Sequence, residues 1–198
     1  MSREVLVLYY SQHGSVRELA RWIAKGIELV PGVTARLRTV PKVSSVCESV
    51  SADIPDSGPP YVELSDLEDC AGIAFGSPVR FGNMAASLKY FIDSTAPQWL
   101  AGTLAGKPVA VFTSSSSMHC GQESSLLSMA LPFLHHGMVL VGIPYTETEL
   151  GLTKSGGTPY GASHVSGPDG STLCTPDEIV LAQALGKRLA IVAMKLAA

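Results

Sequence analysis

A chain of 198 residues with 46% hydrophobic and 16% charged residues is long enough for one well-cored domain, 1–198, and nothing in it requires a second. The net charge of −3 offers no basic footprint for nucleic acid, and no apolar run nears the roughly 18 residues of a membrane span. The start lacks signal-peptide character, and the four cysteines contain no Cys-x-x-Cys pair, so free thiols in a cytoplasmic setting are expected.

In chain order, Val5–Tyr10 is continuously apolar, as in a strand buried on both faces of a parallel sheet. Val16, Leu19, Ala20, Ile23 and Ile27 then recur at helical spacing. Val33–Arg38 alternates apolar with Thr and Arg, predicting a strand with one partly solvated face, near an edge. Residues 41–60, rich in Ser and Pro, form an excursion. Ile73–Phe75, between glycines, is the next strand, and Met84, Leu88, Phe91 and Ile92 the next helix, with Asn83 placed to cap it. After an irregular stretch, Thr95–Gly106, come a strand at Val109–Thr113 and a helix carrying Leu126, Leu127, Ala130, Leu131 and Leu134 that stops near Gly137. Val139–Val141 is the fifth strand, and Ile143–Cys174 a long connection of the kind that is functional or interfacial. The last helix starts most clearly, with Thr175 as cap, Pro176 in the first turn and Glu178 completing a capping box.

Strand and helix thus alternate five times. The expected fold is a three-layer, doubly wound five-stranded parallel sheet in the order 2-1-3-4-5, which binds ligands beyond the carboxyl ends of its strands.

Three loops bound that crevice. Ser11-Gln12-His13-Gly14-Ser15-Val16 offers hydroxyls, a glycine for close approach and the positive end of a helix, the requirements for holding a phosphate without a metal. The same residues also make an ordinary strand-to-helix turn, and the loop alone leaves both open. The loop after the third strand, Gly76 to Met84, presents a backbone held by Pro78 and two glycines, with Arg80 either near a planar ring or solvated. Ser114, Ser115, Ser116, Ser117, Met118, His119 and Cys120 could wrap a polyol chain or form a flexible run. The chain lacks Gly-x-Gly-x-x-Gly, Gly-Lys-Ser/Thr and Gly-x-Ser-x-Gly, which excludes dinucleotide, triphosphate and hydrolase fingerprints. His135 and His136 are adjacent, so they diverge and make no metal pair. Trp99 reads as a packing residue or a stacking wall.

An ordered set of blocks now becomes specific: Leu8-Tyr9-Tyr10-Ser11, Arg80-Phe81-Gly82-Asn83-Met84, Lys89-Tyr90-Phe91-Ile92-Asp93, Gly121-Gln122-Glu123, His135-His136-Gly137-Met138 and Gly157-Thr158-Pro159-Tyr160-Gly161-Ala162. Together they resemble the WrbA-like NAD(P)H:quinone oxidoreductases, flavodoxin-like FMN enzymes. The resemblance implies FMN phosphate at Ser11 to Val16 and the flavin edge near Val79, Arg80 and Phe81. It further implies flavin contacts from Ser114 through Cys120 and from His135, which is also a candidate proton donor. Trp99 and His13 would face the quinone and the nicotinamide nucleotide, and the 143–174 segment would shape the site and a homotetramer. His13 stands where the family commonly has an aromatic, Val79 where Thr is usual and Cys120 where Gly is common. The implied reaction passes hydride from NAD(P)H through the flavin to a quinone. Competing readings are a flavodoxin-like electron carrier and a flavin-free regulator or scaffold on the same fold.

Overall fold

The computed structural model describes residues 3–44, 55 and 57–197. Its elements run β1 (Glu4–Tyr9), α1 (Ser15–Glu28), β2 (Thr34–Thr39), α2 (Leu64–Asp69), β3 (Gly72–Pro78), α3 (Ala86–Asp93) and α4 (Ala96–Leu100). They continue with β4 (Pro108–Ser115), α5 (Gln122–His135), β5 (Val139–Leu140), α6 (Glu149–Leu152), β6 (Ala162–Val165) and α7 (Pro176–Leu196). The strands pair in parallel in the order β2-β1-β3-β4-β5, with β6 also on β4. That is the expected doubly wound order.

Alternation along the central strands builds two cores. Val5, Val7 and Tyr9 of β1, Ala74 of β3 and Ala110 and Phe112 of β4 point to one face, which α1 and α7 cover with Leu19, Ile23, Leu181, Leu185 and Leu189. Leu6, Leu8, Ile73, Phe75, Val109 and Val111 point to the other, covered by Leu67 of α2, Leu88 of α3 and Leu126, Met129 and Phe133 of α5. Continuous apolar strands are thus buried on both faces. On the first face α1 and α7 touch backbone to backbone: a Cβ at Gly26 would lie 2.1 Å from the Gln183 carbonyl oxygen, and one at Gly186 2.1 Å from that of Ile23.

The structure departs from expectation at five places. The fifth strand is split: β5 pairs only Pro108 and Val109, whereas β6 pairs Phe112 through Ser115. The 143–174 segment is therefore partly strand and helix rather than plain connection, because β4 offers β6 a ready row of partners. Asn83 does not cap α3. It bonds with Arg80 in a tight turn, its Oδ1 accepts the Met84 N–H at 2.9 Å, and the helix begins after Ala85. The Thr95–Gly106 stretch contains α4, whose first turn carries Pro97. In α5 the sheet-facing residues are Leu126, Met129, Ala130 and Phe133, while Leu127, Leu131 and Leu134 are exposed, because the helix is apolar on two sides and spacing alone does not separate them. The short α2 has no counterpart in the sequence reading, six residues being too few for a periodic signal. Of the 41–60 excursion, residues 45–54 and 56 lie outside the described residues; its start is tied to α3 by Val43 N–H donating to Ser87 Oγ at 3.3 Å.

At the β2 edge, Arg36 and Arg38 reach across to Asp66 of α2, at 3.0 and 2.9 Å, and Arg36 also pairs with Glu4. Asp66 is 3% exposed and accepts the Glu63 N–H at 2.9 Å. Burial pushes its carboxyl up, but the Glu63 N–H and the two guanidinium groups outweigh that and hold it below the ordinary value. Cys70, Cys120 and Cys174 are free thiols among the described residues, and burial pushes Cys70 up to about 11. No described helix is long and apolar enough to cross a membrane.

Candidate functional site

The carboxyl ends of β1, β3, β4 and β6 converge on a cavity of about 210 Å³. From the predicted residues it draws Ser11, Gln12, His13, Ser15, Val16, Val79, Arg80, Ser114, Ser115, Ser116 and Cys120. Gly14 faces an adjoining groove that shares Ser11, Gln12 and His13. Phe81 lies in a second adjoining depression that shares Gln12 and Arg80 with the cavity. Ser117, Met118, His119, Trp99 and His135 are not part of the cavity wall.

The first loop is organised by its own serine. Ser11 Oγ accepts the N–H groups of Gly14 and Arg17 at 3.1 and 3.3 Å, which leaves its proton to donate. Gly14 precedes α1 with φ 100°, a left-handed conformation that glycine adopts without a Cβ penalty. Ser15 and Val16 open the helix, so their amides have no carbonyl one turn back within it. The helix dipole adds positive potential at this end.

Arg80, Phe81, Gly82 and Asn83 make a two-residue turn closed by Arg80 N–H to Asn83 O at 2.8 Å and Asn83 N–H to Arg80 O at 3.0 Å. Both central residues have positive φ, 51° at Phe81 and 73° at Gly82. For a phenylalanine this conformation costs about 1–3 kcal/mol, the kind of local strain that clusters at ligand sites. Phe81 is fully exposed. One backbone donor of this loop is already committed, since Val79 N–H donates to Ser114 O at 2.9 Å. The Arg80 guanidinium is steered by Gln12 Oε1 at 2.9 Å and by the Val79 carbonyl at 2.8 Å.

On the β4 side, Gln122 Nε2 donates to the Ser117 carbonyl at 3.0 Å and Cys120 N–H to Gln122 Oε1 at 3.3 Å, holding the serine-rich loop over the start of α5. The Ser117 and Ser116 hydroxyls hold the exposed Cys120 thiol below its ordinary value. His135 ends α5 and stacks on Trp99, ring centroids 5.4 Å apart, while Trp99 Nε1–H donates to the His135 carbonyl at 3.1 Å. His136 turns to Thr95, with Nε2 3.0 Å from Oγ1; burial, then His135, pushes its pKa down.

The 143–174 segment is expected to shape the site, but sequence reasoning names no single residue of it for the fourth wall, which is Ser166, Gly167, Pro168, Asp169 and Gly170. The signal was present: a Gly/Pro/Asp turn directly follows the Ala162–Val165 strand, at the ligand end of a parallel sheet. Ser166 anchors this wall, its N–H and Oγ both donating to the Ser115 carbonyl at 2.8 and 3.1 Å. Asp169, the one acidic residue on the wall, is engaged by the N–H and hydroxyl of Ser171 at 3.1 and 2.8 Å. The cavity therefore offers hydroxyls, helix-start amides and an arginine, a donor set suited to a phosphate monoester bearing a polyol.

Known proteins resemble this chain in family and in fold. Residues 4–147 match the family model described as NADPH-dependent FMN reductase. The chain is 40% identical to a NAD(P)H dehydrogenase (quinone) of Solidesulfovibrio magneticus, over 98% of this chain and 99% of the relative. It is 39% identical to one of Geobacter sulfurreducens, over 97% and 98%. Among solved structures, a flavodoxin, WrbA-like protein from Agrobacterium tumefaciens superposes with TM-score 0.68 at 21% identity, covering 97% of this chain and 98% of the other, a likeness of fold.

Proposed function

The chain belongs to the NADPH-dependent FMN reductase family, and on that premise we propose that it is an FMN-dependent NAD(P)H:quinone oxidoreductase. The observation that carries the reading is the meeting of the Ser11–Val16 loop, the Arg80 turn and the Ser114–Ser116 strand end in one cavity at the carboxyl ends of the strands. FMN, when bound, supplies the hydride-accepting and hydride-donating chemistry.

The residues present fit that group. The Ser11 and Ser15 hydroxyls and the first amides of α1 would hold its phosphate, and Ser114–Ser116 would receive its polyol. Arg80, steered by Gln12, would supply a cation beside the reduced, anionic group. His13 lines the approach of the nicotinamide nucleotide. Trp99 and His135 lie off this cavity wall, so in this reading their quinone-facing and proton-donating roles depend on the assembly bringing them to it. The same reading takes the protein to be cytoplasmic and homotetrameric; the outward Leu127, Leu131 and Leu134 on α5 support an assembly.

The purified protein is expected to be yellow and to oxidise NADPH with benzoquinone as acceptor, with an assembly mass by light scattering of four chains. A protein that binds FMN without turnover yet passes single electrons to a protein partner would instead be an electron carrier.

A further inference from the structure

The long segment before α7 hides a charged pair that the reaction itself does not use. His164 of β6 is 0% exposed and Glu178 of α7 1%. Nδ1 of His164 lies 2.8 Å from Glu178 Oε2, and Nε2 lies 3.0 Å from the Thr172 carbonyl oxygen. A carbonyl only accepts hydrogen bonds, so Nε2 carries a proton. Glu178 is a carboxylate: Oε1 accepts the N–H groups of Gly156 and Val165 at 2.7 and 3.0 Å and the Ser155 hydroxyl, and Oε2 accepts the Thr175 N–H at 2.8 Å. A carboxylate also only accepts, so Nδ1 carries a proton too. This donor pattern is that of an imidazolium facing a carboxylate.

Two separate segments are bound through this pair. Glu178 gathers residues 155–156, 165 and 175, while His164 pins Thr172, whose N–H returns to the Ser166 carbonyl at 3.0 Å. Ser166 begins the fourth wall of the cavity, and that wall reaches the first loop at Gly170, where a Cβ would stand 3.7 Å from His13 Cβ. We infer that His164 and Glu178 are positioning residues: the buried imidazolium–carboxylate pair holds the Ser166–Gly170 wall against the Ser11–Val16 loop, so FMN affinity depends on His164 keeping both ring protons. This rests on the FMN reading above.

The groups facing His164 are Glu178 from α7, Glu18 from α1 and Cys174 from the segment entering α7; β4, its partner strand, presents no titratable side chain. Burial opposes the charged imidazole, but Glu178 and the Thr172 carbonyl outweigh it, and the pKa lies above 6.5. Ligand atoms of Glu18, His164 and Cys174 lie within 4.8 Å of one another. Both nitrogens of His164 are already engaged by Glu178 and Thr172, however, and burial raises the Cys174 thiol, so the trio lacks the free donors a metal would need. Loss of a ring proton sets a bare nitrogen against an acceptor and releases one of the two tethers.

The test combines nitrogen-15 NMR of histidine with FMN titration of the full chain freed of cofactor, followed by quenching of flavin fluorescence. At pH 7 the wild-type spectrum is expected to show a histidine with both ring nitrogens protonated, absent from His164→Gln. His164→Gln is expected to bind FMN about tenfold more weakly, the scale of one lost hydrogen bond to a charged group. In wild type, FMN affinity should fall at the pH where the second ring proton leaves, a step missing from the variant. The FMN phosphate titrates in both proteins, so it cancels in the comparison. A neutral His164 at pH 7 overturns the inference, and so does a wild type whose affinity is unchanged when the proton leaves, even if the variant fails to fold. Wild type and variant binding FMN alike overturn it while leaving the activity reading intact. A wild type that takes up no FMN overturns both.

Discussion

Two buried carboxylates, Asp66 at one edge of the sheet and Glu178 near the other, are built to the same local plan. Each is the third residue of its helix, each captures the N–H of the residue that caps it, and each is held below its ordinary pKa despite burial. They differ in their cations. Asp66 meets the guanidinium groups of Arg36 and Arg38. Glu178 meets the imidazole of His164, the side chain whose charge changes nearest neutral pH. The plan makes a rigid corner in both places; the partner decides whether the corner can be loosened by a proton. The loosenable one adjoins the cavity.

Removing each carboxylate is the strongest way to break this comparison. Glu178→Ala removes the counter-charge of a buried His164 that has no exposure to water and leaves the Val165 and Thr175 N–H groups without their acceptor, and is expected to cost about 3–5 kcal/mol in urea unfolding. Asp66→Asn is expected to cost less, about 1–3 kcal/mol, because Arg36 and Arg38 side chains are each 24% exposed and Arg36 keeps Glu4. Its FMN affinity, measured by fluorescence quenching, should equal that of the wild type. Equal costs for the two substitutions would remove the distinction.

A smaller effect sharpens it. Both carboxylates have depressed pKa values, so their stabilisation is complete above the ordinary carboxylate range and is lost as pH falls through their folded values. His164 is raised, so its contribution is complete below 6.5 and is lost as pH rises through its folded value. Urea midpoints should therefore decline on the acid side in wild type and in His164→Gln. Only wild type should show the alkaline decline, about 1.4 kcal/mol for every tenfold by which folding tightens the hold of His164 on its proton.

Much of this molecule is legible in its sequence where each residue reports its own surroundings. The unbroken apolar run of β1, the stripe on α1 and the cap at Thr175 are local facts, and they lead to the sheet order and to three walls of the cavity. Long-range pairing is not local. Ala162-Ser163-His164-Val165 has little strand character of its own and is held by β4, so it reads as connection. Glu178 is visible as half of a capping box, but its tie to His164, 14 residues earlier, is made by the β6-to-α7 turn. Arg36 and Arg38 read as a partly solvated face because Asp66 lies beyond an excursion that carries no periodic signal. The strain at Phe81 is likewise invisible, since Arg80-Phe81-Gly82-Asn83 places a phenylalanine, a residue that disfavours positive φ, at the first central position of the turn.

The split fifth strand has a consequence for solubility. A parallel sheet that ended in a long, flat strand would offer a continuous row of donors and acceptors to any extended chain nearby. Here β5 stops after two residues, and β6 resumes only at Phe112, after the chain has looped away and come back. An incoming strand would find a short ladder beside the exposed Val139 and Leu140, a crossing segment, and a second short ladder. The same excursion that brings a wall to the cavity breaks up the template on which open-ended aggregation would grow.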